Sequence, residues 1–342
     1  MKKILKWGII GFGKASSQFI ESFETTEDHK IEILSSISKT KNFHDKKNLI
    51  NNISNSYLDV IKSNEVDIIF IGLPNNLHYE YSKLALQNGK HVLIEKPACT
   101  DADQFNELLE ISQKNNLKVF EGIYFRSHPN ILEIIKILKK NNFKNLTKII
   151  SEFGNDALGG KKIFGIRFKK PNENNRLFAP KLFGGAVLDT GCYPITFANI
   201  FLKEFNYEYL NHRDIIDKKS SIGSTGVDME SELFLNHNNV EVKLKTSLIN
   251  NLKNSIQMEF LEGKVEISNL LNLGNLITIK LNIKNKFLEY KLNSNLNIMQ
   301  SFKNKILQTL NNNEECFSYP LVNNFETLEN IKILNKWCNL NA

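Results

Sequence analysis

The sequence predicts an α/β protein: a doubly wound parallel sheet at the N-terminal end, then an α+β domain with an antiparallel sheet. Three observations carry the prediction. Short apolar runs alternate with helical stripes through the early part of the chain. Glycines follow the first such run at a dinucleotide-binding spacing. Strand-like segments then succeed one another with few helices between them, which is the pattern of antiparallel sheets.

The elements follow in order. Trp7-Gly8-Ile9-Ile10-Gly11 is an apolar run ending in glycine, and Phe19, Ile20 and Phe23 then lie at helical spacing, so strand, tight turn and helix are expected. Residues 31–37, 66–72 and 92–94 read as further strands and residues 79–87 as a helix. Asp101 reads as the N-cap of a helix reaching about Asn115, and residues 118–122 as one more strand. After Ser127-His128-Pro129 the pattern changes. A helix over 131–140 leads into strand-like segments at 148–152, 230–235, 240–248, 256–261, 265–268, 276–283 and 287–292. Residues 211–228 are polar and read as loop. Leu328, Ile331, Leu334 and Trp337 form a helical stripe near the end. The expected domains are residues 1–124, binding a dinucleotide, and 125–342, binding substrate, with the C-terminal helix packing back on the first.

Composition narrows the function classes. A hydrophobic content of 41% with 24% charged residues is that of a globular protein able to bury a core. No run approaches the roughly 20 apolar residues of a bilayer span, and the start meets charge and glycine before any leader-like apolar stretch. A cytoplasmic protein without membrane association is expected. The net charge of +7 comes from lysines spread along the chain rather than clustered, so no nucleic-acid partner is expected. Cys99, Cys192, Cys316 and Cys338 form no C-x-x-C pair, and no histidines stand at metal-ligand spacing, so buried free thiols and no metal are expected.

Chemistry concentrates where the strands end. Gly11-Phe12-Gly13-Lys14-Ala15-Ser16 matches the first two glycines of G-x-G-x-x-G/A, with serine third. Gly11 permits the turn, Gly13 lets backbone approach a pyrophosphate, and the helix beginning near Ala15 offers its positive end to that anion. At the end of the second strand an acidic residue would bind the ribose of NAD; Ser38 and Lys39 stand there instead, which favours NADP over NAD, unless Lys39 is an ordinary solvated lysine. Leu73-Pro74-Asn75 forms a rigid turn at the same edge, either cofactor-binding or plain turn chemistry, and His78 opens the next helix. Glu95-Lys96-Pro97 closes the fourth strand and places a lysine at the carboxyl edge, where a parallel sheet binds its ligand. Further on, residues 183–194 gather small residues with Asp189 and Tyr193 four apart, on one face if helical. Tyr193 is suited to proton transfer once a cation such as Lys96 lowers its pKa from about 10. Alone, Asp189 could equally cap a helix and Tyr193 simply pack.

Taken together, Gly11-x-Gly13, Pro74-Asn75-x-x-His78, Glu95-Lys96-Pro97, Glu121-x-x-x-x-Arg126-x-His128-Pro129 and Gly184-Gly185-x-x-x-Asp189-x-Gly191-x-Tyr193 resemble the Gfo/Idh/MocA family of nicotinamide-dependent oxidoreductases. The resemblance implies a Rossmann domain followed by a domain with a large, mostly antiparallel open sheet, often used to form dimers or tetramers. It implies Lys96 beside the nicotinamide, Glu95 holding its loop, a cis bond before Pro97, Tyr193 as the catalytic tyrosine, Asp189 orienting substrate or Tyr193, and Arg176 reaching cofactor or substrate. Phe183 replaces the first of three usual glycines, and Asn175 a tryptophan often found before Arg176.

The expected activity is hydride transfer between NADP(H) or NAD(H) and a hydroxyl or carbonyl carbon of a sugar, sugar derivative or cyclic diol. Tyr193 acts as acid or base, assisted by Lys96, in a homodimer or homotetramer formed through the C-terminal sheet. The alternatives are a non-catalytic NAD(P)-binding sensor or scaffold on the same fold, and an NAD-recycling hydrolase or lyase.

Overall fold

The computed structural model describes residues 4–23, 27–37, 48–160, 162–163, 166–271, 276–284, 286–293, 298–313 and 319–340. The chain divides into two compact units, the first made of Met1–Ser127 with Asn297–Leu328 and the second of His128–Leu296 with Glu329–Ala342.

The first unit opens with β1 (Leu5–Ile10), α1 (Lys14–Glu21), β2 (His29–Ser35), β3 (Ile50–Ser54), α2 (Tyr57–Lys62) and β4 (Ile68–Ile71). It continues with α3 (His78–Gln87), β5 (His91–Ile94), α4 (Ala102–Lys114) and β6 (Val119–Glu121). The strands form a six-stranded parallel sheet in the order β3-β2-β1-β4-β5-β6. That order reverses between β1 and β4, which is the doubly wound arrangement with its ligand crevice at the reversal. β1, β4 and β5 are almost wholly buried, as strands covered on both faces must be. Helix α4 starts where the sequence places it, because Asp101 accepts hydrogen bonds from the amides of Asp103 and Gln104. Trp7, Phe19, Ile31, Phe70, Leu93 and Phe120 belong to one core, with Phe19 stacked on Phe70 at 4.4 Å.

The second unit holds α5 (Asn130–Lys140), β7 (Leu146–Gly154), the short paired strands β8 (Lys162–Ile163) and β9 (Ile166–Arg167), α6 (Ala186–Thr190) and α7 (Cys192–Glu204). There follow β10 (Ile215–Ile222), β11 (Asp228–His237), β12 (Val240–Ser247), β13 (Ser255–Phe260), β14 (Gly263–Ser268), β15 (Ile277–Ile283) and β16 (Lys286–Leu292). Eight of these strands form a sheet in the order β10-β11-β12-β7-β13-β14-β15-β16, antiparallel except where β12 meets β7. Helices α6 and α7 lie on one face of it. The other carries ion pairs such as Lys243 to Glu232 at 3.0 Å and Lys264 to Glu259 at 3.1 Å. Burial alternates along β11 and β12, as two-sided strands require. The expected α/β class, parallel sheet first and mostly antiparallel sheet second, is what the structure has.

Three elements differ from the sequence reading. Residues 215–222 form β10 instead of loop; this edge strand bonds only to β11, so its polar residues stay in solvent and Ile216 and Ile222 are exposed. β3 is likewise a polar edge strand that carries no apolar alternation. Helix α8 (Ile298–Asn311) was not anticipated, and α9 (Asn324–Cys338) occupies the expected final stripe. Among the described residues no helix is long and apolar enough to cross a membrane, and no cluster of metal-ligating side chains occurs. Cys99 and Cys192 are buried free thiols and Cys338 a half-buried one, whereas Cys316 lies outside the described residues.

Helix α8 joins the first unit's core through Phe302 and Ile306, and its Lys303 is fully buried. The Lys303 ammonium donates to Ser22 O at 2.9 Å and sits 3.5 Å from the Phe23 ring centroid, while burial pushes its pKa down to about 7. Nearby His29 accepts from Trp7 Nε1 at 3.1 Å and is pushed down to about 4 by burial first and Lys303 second, so it is neutral and can donate to Asn304. A lysine whose folded pKa lies below its unfolded value costs stability wherever the unfolded chain is charged and the folded group must be charged too. The penalty is full below about pH 7 and disappears as pH rises towards 10.5. Lys303→Met is therefore expected to stabilise the protein by on the order of 3 kcal/mol at pH 6, with the gain shrinking through pH 9, as measured by denaturant unfolding at both pH values.

Candidate functional site

The carboxyl edge of the parallel sheet is built around two strand ends in close contact. Gly11 has φ +88, and a Cβ there would lie 2.6 Å from Gly72 O, so only glycine fits. Gly13 precedes α1 with no side-chain cap, and a Cβ on it would meet nothing within 4 Å. The first turn of α1 carries no acidic residue. Uncapped amides, a positive helix end and open space in front of Gly13 suit a pyrophosphate. Phe12 packs partly into the core, Lys14 is exposed and Ala15 half-buried. The hydroxyls of Ser16 and Ser35, beside this turn, are buried without a hydrogen-bond partner among the described residues. The donor set and the open cradle fit a dinucleotide. Ser38 and Lys39, expected to choose between NADP and NAD, lie outside the described residues.

Leu73 and Pro74 follow β4, and Asn75 is buried in the 3-10 turn Asn75–Leu77. His78 opens α3. It is wholly buried, with Nδ1 2.8 Å from Pro97 O and Nε2 2.8 Å from Leu73 O, so both ring nitrogens tie the loop after β4 to the loop after β5.

Lys96 sits half-buried at the end of β5, and the Lys96–Pro97 bond is cis. The loop around it is held at several points. Glu95 accepts from the Tyr124 hydroxyl and, at 3.3 Å, from the Lys96 amide. Ala98 N donates to Glu121 Oε1 at 3.1 Å, and Thr327 donates to Glu121 Oε2 at 3.0 Å. Burial pushes the Glu121 carboxyl up to about 7, against the lowering effect of those two hydrogen bonds. One turn on, Arg126 grips both carboxylate oxygens of Glu326 at 2.7 and 2.6 Å in a buried pair.

In the second unit the small-residue run forms α6, Gly191 and α7. Gly191 itself has helical angles and its amide donates to Val187 O, so the two helices run on almost without a break. Gly185, at φ +114, would place a Cβ 2.3 Å from Asp228 Oδ1. That approach lets Asp228 accept from Val187 N at 2.8 Å and hold the start of α6, although burial pushes its carboxyl up to about 6. Asp189 pairs with Arg176 at 3.2 Å, with Arg176 53% exposed and Asp189 16%. Asn175 accepts from Leu177 N and starts the 3-10 turn Arg176–Phe178. Tyr193 is the second residue of α7, its ring 6.0 Å from that of Phe153. Phe183 has φ 53 and ψ 50, a left-handed conformation that an aromatic residue adopts only under strain.

Lys96 thus belongs to the first unit, and Arg176, Asp189 and Tyr193 to the second. Sequence reasoning missed Tyr124, Thr327 and Asp228, and it gave Glu121 no role. Their partners lie far along the chain, Asp228 bonding Val187 and Thr327 bonding Glu121, so no local pattern announces them.

The doubly wound sheet with its open glycine turn defines a Rossmann fold of the dinucleotide-binding class. Residues 5–123 match the family described as "Oxidoreductase family, NAD-binding Rossmann fold" (GFO_IDH_MocA), so this N-terminal domain is of the Gfo/Idh/MocA oxidoreductase family. It is 29% identical over 267 residues to a trans-1,2-dihydrobenzene-1,2-diol dehydrogenase of Xenopus tropicalis, covering 77% of this chain and 74% of the relative. It is 25% identical over 258 residues to a D-xylose 1-dehydrogenase (NADP(+)) of Hypocrea jecorina, covering 71% and 65%. Its fold is also similar to the crystal structure of a 3-ketoreductase from Actinomadura kijaniata in complex with NADP and TDP-benzene. The TM-score there is 0.82 at 17% identity, over 97% of this chain and 96% of that one.

Gly13→Val tests the cradle directly. Because a side chain there meets only open space, the variant is expected to keep its melting temperature. It should lose about 10-fold or more in NADPH affinity, since one displaced charge-assisted hydrogen bond costs about 1.5 to 3 kcal/mol. Calorimetric titration with NADPH beside a thermal melt checks both.

Proposed function

We propose that this protein is an NADP(H)-preferring oxidoreductase that moves a hydride to or from the hydroxyl or carbonyl carbon of a sugar, sugar derivative or cyclic diol. The observation that carries the reading is the open Gly11–Gly13 cradle on the same sheet edge as Lys96, in a domain that matches an NAD-binding family. Relatives named for a dihydrodiol, a xylose and a keto-sugar-type reduction support the substrate class.

Residues 1–124 hold the cofactor, and the rest of the chain holds substrate and builds a homodimer or homotetramer through its large sheet. Gly11, Phe12, Gly13, Lys14 and Ala15 bind the pyrophosphate through backbone. Ser38 and Lys39 take the 2′-phosphate. Leu73, Pro74 and Asn75 border the nicotinamide side, and Glu95 holds the Lys96 loop. The nicotinamide, when bound, supplies or accepts the hydride. Tyr193 gives or takes the proton at the substrate oxygen, and Lys96 lowers its pKa and polarises that oxygen. Asp189 and Arg176, already paired, orient the substrate.

Nicotinamide absorbance measured with a panel of aldoses, polyols and trans-dihydrodiols tests the activity. Tyr193→Phe and Lys96→Ala are each expected to lower turnover by about 10²- to 10⁴-fold while NADPH still binds; unchanged turnover in both would refute the assignment of the two residues. Lys39→Ala is expected to weaken NADPH by about 10-fold and leave NADH unaffected, because only the former has a 2′-phosphate to pair. Equal loss for both cofactors would show that Lys39 does not read the phosphate.

A further inference from the structure

We propose that Glu121 is a positioning residue for Lys96, holding through Ala98 the backbone segment that carries the lysine. The proposal rests on the reading of Lys96 as the cation beside the reacting oxygen. Its geometry is independent of that reading.

Glu121 is the last residue of β6, beside β5 in the sheet, and is 6% exposed. Its Oε1 accepts from Ala98 N, two residues beyond Lys96, and its Oε2 meets the hydroxyl of Thr327 on α9. An amide can only donate, so Oε1 must remain an acceptor in every protonation state. A hydroxyl both donates and accepts, so Thr327 can donate to the carboxylate or accept from the protonated acid. Both forms of Glu121 therefore keep both hydrogen bonds. The segment is grasped from two other directions, by Tyr124 on Glu95 and by His78 on Pro97 O. Lys96 lies between these anchors, with its own amide turned to Glu95.

The surroundings explain why a carboxyl stands here. The charged and titratable groups facing Glu121 are Glu95 from the end of β5, Cys99 from the loop after it and Glu326 from α9. Glu326 is neutralised by Arg126. An apolar residue at 121 would leave the Ala98 amide buried without an acceptor, at the full desolvation cost of that group. A glutamine would accept from Ala98 through its oxygen and donate to Thr327 through its nitrogen, reproducing both bonds. The side chain is needed for its two-pronged hydrogen bonding, not for its charge.

Glu121→Ala and Glu121→Gln test this in the full-length protein, with hydrogen exchange of residues 94–99 as the direct readout and NADPH as the bound probe. In Glu121→Ala, exchange of that segment is expected to quicken about 10-fold or more while the rest of the parallel sheet is unchanged. The kcat on the best panel substrate should fall by about 10- to 100-fold, with NADPH affinity kept, because a misplaced group costs rate rather than binding. Glu121→Gln should restore exchange and kcat together. Should Glu121→Ala fail to fold, Thr327→Val, which removes only the second partner, is expected to show the same local quickening. Unchanged exchange at 94–99, quickening spread over the whole unit, or no rescue by glutamine would overturn the proposal. Normal turnover in Lys96→Ala would instead overturn the reading of Lys96, and the exchange measurements would still decide what Glu121 holds.

Discussion

The backbone contact at the reversal of the parallel sheet is the constraint on which the first unit depends. Ile10 O accepts from Gly72 N at 2.9 Å, and Gly11 N donates to Ser35 O at 2.8 Å, so the ends of β1, β2 and β4 are tied at one point. No side chain can stand at Gly11 without striking Gly72 O. The strand therefore turns at once into α1, whose uncapped amides face the open space before Gly13. A sheet reversed elsewhere, or a bulkier residue at the turn, would move the helix end away from the edge where β5 delivers Lys96.

Around that edge, backbone groups of the loops are satisfied by side chains rather than by regular structure. Loop carbonyls and amides buried near a ligand site have no ladder partner, and each left unpaired would cost about 1 to 3 kcal/mol. His78, Glu95 and Glu121 supply the missing partners in the first unit, and Asp228 does so at the start of α6 in the second. The cost appears in the titration of these groups, with Glu121 pushed up to about 7 and Asp228 to about 6 by burial. Phe183 carries a different cost, a left-handed backbone at a position where the family resemblance leads one to expect glycine.

Much of this was legible in the sequence. The parallel strands announce themselves because they are buried on both faces and so are continuous apolar runs, and Asp101 marks its helix by a local cap. Edge strands β3 and β10 escaped notice because solvent on one side lets polar residues occupy them. Helix α8 does carry a helical stripe in Ile298, Phe302 and Ile306, and only the burial of Lys303 against Phe23 runs against what its residue type suggests. His78 was readable as a helix-opening histidine, but its two carbonyl partners come from different loops.

By itself, the sequence determined the α/β class, the glycine turn after the first strand, the lysine at the end of β5 and the family resemblance, because each rests on neighbours in the chain or on a repeating apolar period. The tertiary structure alone decided which side chains hold those features in place. Glu121 finds Ala98 and Thr327, and Asp228 finds Val187, at separations of 23, 206 and 41 positions along the chain. Such pairs are selected by the packing of buried polar groups that must find partners wherever the fold brings them, and no local pattern in the chain encodes that choice.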